Sequence, residues 1–542
     1  MTAGRTTHSD RRRSLLVSGL GLVWTLIFGA FFFSQTVRTL PRQAWLLELP
    51  TLLGSNFTSA DNAGWRYLPQ RFDLLLCAIV ILAAAWGLGR TLLLGLRTQL
   101  RFRSAEGAAL TMGLGLSAWS LVTLGLGLAG WLDQWLFVAC AAAFVVLGVF
   151  CDVRQRSHAE QRGARSSRGL KPPDSPAKAE ETLPLRRLVL LSSFPFVLAM
   201  LLGSMLPSTD FDVKEYHLEG PKEYFLGGRV RMLPHNVYTS FPFLTEMLSL
   251  SAMVIRSDWW RGALAGKVVL MTYSMITSLG LFAIARRLAG ETVGWLAVLI
   301  WLTTPWTYRI STIAYAEGGL TCYLVLTLLG LVMWRDRSLR VGGWGFTEEP
   351  DESPGEVSRP PTCPGSSGPW IFLTGLLAGS AAACKYPGVL SAVIPVGLTV
   401  LWIAGRSGKP SSFQWKRCLA TGALYSAGVL VTFGPWLLKN LIETGNPVYP
   451  LLWSVLGGES FDAATNARWK AGHAPPTWLL QQPSQILPDL WQRLQDIFLR
   501  SDWQTPLLGA LLPFSLLAWQ RIRGLRWVWA YVLWLFFTWL WM

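Results

Sequence analysis

Residues 188–206 read LVLLSSFPFVLAMLLGSML, and the chain continues through residues 207–225 as PSTDFDVKEYHLEGPKEYF. The first stretch is an apolar run of about the length that a helix needs to cross the hydrocarbon core of a bilayer. The second stretch follows at once and holds two Asp, three Glu, two Lys and one His. Apolar runs separated by polar loops recur along the chain, which predicts a multi-pass membrane protein.

The composition agrees with this prediction. Of 542 residues, 51% are hydrophobic and only 15% are charged, whereas a soluble domain carries about 25% charged residues. The formal net charge of +16 does not indicate nucleic-acid binding, because the basic residues lie between apolar runs, where Lys and Arg set the orientation of membrane helices. We therefore expect membrane lipids, and no nucleic acid, among the partners.

Apolar runs of spanning length predict an all-α multi-pass membrane protein with about 13 transmembrane helices. These runs begin near residues 14, 73, 107, 133, 188, 262, 291, 312, 370, 387, 417, 503 and 526. The loops rich in Lys and Arg are 1–13, 90–104, 152–187, 285–290, 335–369, 405–417 and 520–526. A cytoplasmic N-terminus places all of them on the cytoplasmic side of the plasma (inner) membrane, as the positive-inside rule requires. The acidic stretch then faces outward.

The expected division of the chain follows these loops. Residues 152–187 and 335–369 are rich in Pro, Ser, Gly and charge, which is typical of flexible linkers. The expected units are a four-helix N-terminal transmembrane block (1–151), a flexible cytoplasmic linker (152–187), a catalytic transmembrane module (188–456), an extracytoplasmic loop (457–502) and C-terminal transmembrane helices (503–542).

Residues 211–225 fit a helix on the membrane surface. Phe211, Leu218 and Phe225 form an apolar stripe, which suits an interfacial helix. At 100° per residue, a neighbouring face about 100° wide carries Asp212, Glu215, Tyr216, Glu219 and Glu223. Crowded carboxylates beside a low-dielectric membrane have raised pKa values, which makes one of them a candidate general base. The alternative is a solvated helix that only joins two spans.

Two further expectations concern the same outer loop. Residues 243–255, FLTEMLSLSAMVI, read as a second short amphipathic helix at the interface. His217 lies on a different face of the first helix, and we interpret it as a surface or packing residue rather than a metal ligand.

Three stretches carry a family resemblance. In DVKEYHLEGPKEYF (212–225), Asp212 and Tyr216 are four residues apart, and Val213 follows the Asp. GLLAGSAAACKYPGVL (375–390) is a small-residue run that ends in Lys-Tyr. GPWLLKNLIETGNPVYPLL (434–452) holds Pro-Trp, Lys-Asn and Gly-Asn-Pro-x-Tyr-Pro in this order. Together they resemble the membrane glycosyltransferases of the GT-C superfamily, in the branch of protein O-mannosyltransferases and lipid A aminoarabinose transferases. This family typically has Glu where Val213 stands, and the likeness covers about residues 188–460.

The resemblance implies an enzyme that moves a hexosyl or pentosyl group from a dolichyl- or undecaprenyl-phosphate donor. The acceptor is a lipid, a glycan or a protein outside the cytoplasm, and the anomeric carbon is inverted. The chain contains no GxGxxG and no Walker sequence, which fits a lipid-linked donor better than a nucleotide sugar. The sequence predicts no metal site, although a divalent cation at Asp210 and Asp212 is an open alternative.

The match to the motif makes Asp212 the expected general base, with Asp210 as the second candidate. Glu215 is expected to position the acceptor or to tune Asp212, and Tyr216 belongs to the substrate-binding set through its place in the motif. The alternative role of Asp210, and less so of Asp212, is to cap the surface helix.

Lys385 and Lys439 are expected to bind the donor phosphate, because each follows an apolar run at its outer end. The alternative is that they extend toward lipid headgroups. Their neighbours Tyr386 and Asn440 complete this part of the substrate-binding set.

Arg309 and Glu317 flank a short outer loop, and they either close the pocket or pair with each other. Four residues of the GNPVYP segment are expected to fix a loop: Asn446, Pro447, Tyr449 and Pro450.

Two other function classes remain open. One is a multi-pass transporter or lipid flippase of envelope glycolipids, and the other is a non-catalytic subunit of an envelope complex. A transporter more often places polar groups at the bilayer midplane, within broken helices. Here the charged residues gather at the outer edge, which favours the glycosyltransferase.

Overall fold

The computed structural model of the protein describes residues 8–37, 39–58, 68–98, 100, 102–166, 177–341, 368–406, 413–473, 481–518, 522 and 524–541. In these residues the fold is all-α apart from a hairpin of two very short antiparallel strands, β1 (Thr36–Val37) and β2 (Leu40–Pro41). The first ten α-helices are α1 (His8–Ser34), α2 (Arg42–Thr58), α3 (Phe72–Gly95), α4 (Ala105–Ala129), α5 (Gln134–Ser166), α6 (Ala177–Ser204), α7 (Glu219–Leu226), α8 (Glu246–Arg256), α9 (Trp259–Ala289) and α10 (Glu291–Thr303). The others are α11 (Pro305–Thr312), α12 (Glu317–Val341), α13 (Gly368–Cys384), α14 (Ile394–Arg406), α15 (Trp415–Thr444), α16 (Trp453–Leu456), α17 (Ala463–Gly472), α18 (Ile486–Gln495), α19 (Pro506–Leu517) and α20 (Leu525–Trp541). Short π- or 3₁₀-helical turns cover Val213–His217, Val237–Ser240, Val389–Val393, Pro483–Gln485 and Asp496–Arg500.

A helix lies at each of the expected spans. Among the described residues, eight helices are long and apolar enough to cross a membrane. These are Leu68–Gly95, Ala105–Ala129, Gln134–Gln155, Leu183–Ser204, Trp259–Ala289, Glu317–Asp336, Val389–Arg406 and Trp415–Thr444. The shorter apolar helices, of 10–17 residues, are Gly19–Ser34, Glu291–Thr303, Gly368–Cys384, Pro506–Leu517 and Leu525–Leu540. The prediction of an all-α membrane protein is confirmed at this level, and the count of 13 spans stays a prediction.

The two expected linkers are largely helical where they are described. Residues 152–166 continue α5 and residues 177–187 begin α6. Arg, Gln, Glu and Ala are frequent here, and all four are good helix formers, so the charged composition did not prevent helix formation. Residues 335–341 likewise end α12. Residues 167–176 and 342–367 of the expected linkers lie outside the described residues, and residues 368–369 begin α13.

One buried core joins helices from both sides of segment 152–187. It extends from Leu74 on α3 to Trp436 on α15, and α3 and α4 pack directly against α8 and α9. By contrast, α1 packs against α2 and α19, where Phe28, Phe32 and Ala510 form a small separate cluster. The expected boundary at residue 151 therefore separates two parts of the sequence, but helices from both parts pack in the same core.

Helix α8 lies inside the protein rather than at the membrane surface. All of its residues from Glu246 to Ile255 are buried, because α8 packs against α4 and α9. Two glycines of α9 permit the close approach. A Cβ at Gly262 would lie 2.2 Å from Met253 Cα, and one at Gly266 would lie 2.7 Å from Ser249 Cα. The prediction of a second interfacial helix is therefore wrong, and Gly-x-x-x-Gly spacing was the sequence feature that indicated close helix packing.

Polar contacts divide the connecting segments between two ends of the helical bundle. At one end, which we call the basic end, Arg90 Nε lies 2.7 Å from Asp152 Oδ1, and Arg286 Nη2 lies 2.7 Å from Glu106 Oε1. The other end, which we call the site end, is formed by residues 206–246, 304–317, 384–388 and 439–473. Its segments are joined by the contacts described below. Successive connecting segments thus lie alternately at the basic end and at the site end. Basic and acidic loops follow each other in the same order along the sequence.

Candidate functional site

The acidic stretch begins with a π-helical turn. Residues Val213–His217 are π-helical, and the Leu218 N–H donates to the Val213 carbonyl at 3.0 Å, five residues back. The wider turn changes the direction of the side chains relative to a regular α-helix. Tyr216 and His217 are buried, whereas Asp212, Glu215 and Phe211 are exposed. The residues predicted to share one face thus differ in burial, because Tyr216 is covered whereas Asp212 and Glu215 are exposed.

The Asp212 carboxylate is exposed and unpaired. Among the described residues it makes no hydrogen bond or ion pair, and it does not cap the helix that follows it. Its negative charge acts on three nearby tyrosines. Burial, and after it the negative charge of Asp212, raises the pKa of Tyr216 and of Tyr238. For Tyr315, burial and then Asp210 and Asp212 raise the pKa. These tyrosines therefore keep their hydroxyl protons, and the Asp212 carboxylate is the negative charge beside them.

The Asp210 carboxylate is paired with an arginine side chain. Arg309 Nη2 lies 3.0 Å from Asp210 Oδ1, and the Tyr315 hydroxyl donates to the same oxygen at 3.5 Å. The arginine also stacks on Trp503, with its Cζ 4.8 Å from the ring centroid. Because Asp210 is paired, it is less suited than Asp212 to accept a proton, and its side chain does not act as a helix cap.

Arg309 and Glu317 do not pair with each other. Glu317 is the first residue of α12 and its Oε1 accepts a hydrogen bond from Lys385 Nζ at 2.8 Å. Both side chains are about one-third exposed. The alternative that Arg309 and Glu317 form an ion pair is therefore wrong, because each has a closer partner on another segment. Lys385 is accessible, and a carboxylate offsets its charge.

Lys439 lies in the interior. Its side chain is 2% exposed, and its Nζ lies 2.6 Å from Glu443 Oε2, one turn along α15. The angle of approach is not that of a hydrogen bond, so the contact is an ion pair. Glu443 Oε1 also accepts the Met232 N–H at 3.1 Å. The structure thus places Lys439 in a link between α15 and the acidic outer loop, with little access for a phosphate from outside.

Asn440 and Tyr386 connect three segments of the site end. Asn440 Nδ2 donates to the Ser240 carbonyl at 2.7 Å and to the Tyr386 hydroxyl at 3.3 Å. The Tyr386 hydroxyl donates in turn to the Tyr449 carbonyl at 3.3 Å, and burial raises the pKa of Tyr386. Both residues therefore hold the loops in place, and a direct role in substrate binding stays a prediction.

The GNPVYP segment forms a loop in which Asn446, Tyr449 and Pro450 are buried. Gly445 ends α15 with φ 74°, in the left-handed region that favours glycine. Asn446 is fully buried, and its Nδ2 donates to the carbonyls of Leu451 and Gly457 at 2.9 and 3.0 Å. Its Oδ1 accepts the Val448 N–H at 3.0 Å. These contacts agree with the expected structural role of Asn446.

Sequence reasoning missed a buried His–Glu pair. His217 Nδ1 lies 2.6 Å from Glu246 Oε1, and both side chains are 3% exposed. Thr245 Oγ1 donates to the other carboxylate oxygen at 2.8 Å, and the His217 ring lies 5.4 Å from that of Tyr315. The pair fastens the π-helical turn to the start of α8. Because the partners are 29 residues apart in the sequence, no local pattern indicated the pair.

The site offers little to a metal ion. No group of three or more His, Cys, Asp or Glu side chains that could hold an ion occurs in the part of the chain that the structure describes. At the position considered from the sequence, Asp210 is already engaged by Arg309. The alternative of a divalent cation at Asp210 and Asp212 therefore gains no support from the geometry.

Comparison with family models, with curated proteins and with solved structures found no match to this chain. The resemblance to the GT-C superfamily therefore rests on the three stretches quoted above.

Proposed function

We propose that the protein is an integral membrane glycosyltransferase. It transfers a sugar from a polyprenyl-phosphate donor to a lipid, glycan or protein acceptor, with Asp212 as the general base. The proposal is supported above all by the pairing of charges at the site end. Asp210 is bound to Arg309 and Glu317 to Lys385, whereas the exposed Asp212 carboxylate is unpaired among the described residues.

In this reaction Asp212 takes the proton of the acceptor hydroxyl as the acceptor oxygen attacks the anomeric carbon. The bond between that carbon and the phosphate oxygen breaks, and the polyprenyl phosphate leaves with the electron pair. Arg309 and Lys385 are partly exposed, so they can stabilise the negative charge that develops on the leaving phosphate. Attack from the face opposite the phosphate inverts the configuration. We place the enzyme in the plasma (inner) membrane, with the N-terminus cytoplasmic and the site end extracytoplasmic.

The test uses the full-length protein in nanodiscs with a panel of undecaprenyl-phosphate-linked hexoses and pentoses and an envelope extract as the source of acceptors. Released undecaprenyl phosphate is measured, because it reports transfer whatever the acceptor is. Asp212→Asn should lower the rate by about 10²–10⁴-fold, the usual contribution of a general base. Glu459→Gln is the matched control, because Glu459 is an exposed acid at the same end and should leave the rate unchanged.

Two results would contradict the proposal at different levels. If the wild type releases undecaprenyl phosphate from no donor of the panel, the proposed transferase activity is wrong. If Asp212→Asn transfers sugar as fast as the wild type, the activity stands and the assignment of the base is wrong.

A further inference from the structure

A lysine-lined cleft lies beside the acidic stretch, where α9 begins. Its volume is about 100 Å³. The charged residues that line it are Lys214, Glu219, Lys222 and Lys267. Three Lys and one Glu give a formal excess of two positive charges. Lys222 Nζ lies 2.8 Å from Glu219 Oε1, so the acid of the lining is already neutralised.

Lys267 is the unusual member of this lining. It is only 2% exposed, and its amino group donates to the Leu206 carbonyl. Among the described residues no carboxylate forms an ion pair with it, and the nearby Asp210 is paired with Arg309. A buried cation without a counter-charge is costly, and an ionisable residue in a membrane helix usually faces a partner or a functional cavity. An anion bound in the cleft would supply a counter-charge that Asp210, which is also paired with Arg309, gives only in part.

The surroundings indicate where such an anion comes from. Trp259 and Trp260 line the cleft as the first residues of α9, and tryptophan is enriched at the level of lipid headgroups. Lys222 Nζ lies 4.9 Å from the centre of the Trp259 ring. Near the cleft, Leu206 and Phe211 are 56% and 74% exposed, which provides apolar surface for a hydrocarbon chain.

From this arrangement we infer that the cleft binds the phosphate group of an anionic membrane lipid. Lys214 and Lys267 contact the phosphate, and the lipid chain follows the apolar surface of Leu206 and Phe211. The inference does not depend on the proposed glycosyl transfer, because no sugar, acceptor or general base takes part in it.

The test measures lipid binding to the purified full-length protein by native mass spectrometry. The probes are phosphatidylglycerol, cardiolipin and inorganic phosphate, and undecaprenyl phosphate is left out because the proposed catalytic site also binds it. Lys214→Met and Lys267→Met should each weaken the binding of the lipid probes about fivefold, as expected for one Lys near an anionic headgroup. Lys470→Met is the matched control, because Lys470 is exposed at the site end and outside the cleft; it should not alter binding.

Lys214 is exposed, so its variant keeps the test valid if the Lys267 variant fails to fold. If both variants fold and both bind the lipids as tightly as the wild type does, the inference is wrong. If Lys267→Met does not fold, wild-type lipid binding by Lys214→Met is enough to overturn it. Displacement of both lipids by inorganic phosphate at equal concentration would show a site for free anions and would also overturn it.

Discussion

Asp212 and Asp210 are two residues apart, and the structure gives them different surroundings. The sequence alone left both as candidate bases, with the family motif favouring Asp212. Arg309 makes the difference between the two acids. It lies 99 residues from Asp210 in the sequence, and it pairs with Asp210 but not with Asp212. Pairings over such distances depend on how the helices pack. For the same reason the sequence could mark Glu317 and Lys385 as candidates without showing that they bind each other.

The prediction at the residue scale concerns the buried pair of His217 and Glu246. Glu246→Leu removes the partner of a buried imidazole, so we expect a loss of about 1–3 kcal/mol in stability. The measurement is the thermal unfolding midpoint of the purified protein in detergent. Glu246→Gln keeps an oxygen that can accept a hydrogen bond from His217, so its midpoint should lie between those of Glu246→Leu and the wild type.

An exposed pair in the same stretch provides the control. His235 Nε2 lies 3.1 Å from Glu223 Oε1, and the His235 side chain is 64% exposed. Glu223→Leu should therefore change the midpoint little, since exposed ion pairs contribute about 0–1 kcal/mol. If Glu223→Leu and Glu246→Leu lower the midpoint equally, the buried pair does not fasten the π-helical turn to α8.

At the scale of elements, helices α13 and α15 bring together much of the candidate site, because Lys385 follows one and Asn440 lies on the other. Small residues allow their close approach. A Cβ at Gly375 would lie 2.1 Å from the Tyr425 carbonyl oxygen, and one at Gly428 would lie 2.3 Å from the Phe372 carbonyl oxygen. The small-residue run of α13 was visible in the sequence, whereas its partner helix was not.

Gly428→Ala should separate these two helices. The new methyl group would meet backbone atoms that cannot move independently, so we expect a loss of about 1–3 kcal/mol in stability, measured as the thermal midpoint. Gly434→Ala, on the same helix, is the matched control. Its Cβ would meet only Leu430 Cβ, at 3.9 Å, and alanine favours a helix by about 1 kcal/mol. Equal midpoints for the two variants would show that the close approach at Gly428 does not contribute to stability.

The starts of the helices were predicted to within a few residues where hydrophobicity decides them. The long apolar runs of α3, α4 and α9 exceed the length of any local turn, so a helix was the only way to satisfy their backbone groups in lipid. The prediction was wrong at α8, because its residues alternate enough to resemble a surface helix. Burial by α4 and α9 on different sides depends on tertiary packing, which an amphipathic pattern does not contain.

At the scale of the whole molecule, the N-terminal and C-terminal segments meet. Arg42 at the start of α2 donates to the carbonyls of Phe32 and Arg500 at 3.0 Å and to that of Ser501 at 2.9 Å. It also pairs with Asp502 at 3.3 Å. Both segments were expected on the outer side from the count of basic loops. Their contact is consistent with that count, although no sequence pattern indicated that the first helices would pack against the last ones.

The same count yields a prediction about the orientation of the protein. Arg103 lies in the loop before α4, at the basic end, and Glu459 lies at the site end; both are exposed. The positive-inside rule places the basic end in the cytoplasm. In intact cells a membrane-impermeant maleimide should therefore label Glu459→Cys more than the wild type, and Arg103→Cys no more than the wild type. The wild type serves as the reference because it has seven native cysteines. Permeabilised cells should give labelling of both variants. The reverse pattern in intact cells would place Asp212 in the cytoplasm, and transfer to an external acceptor would then be impossible.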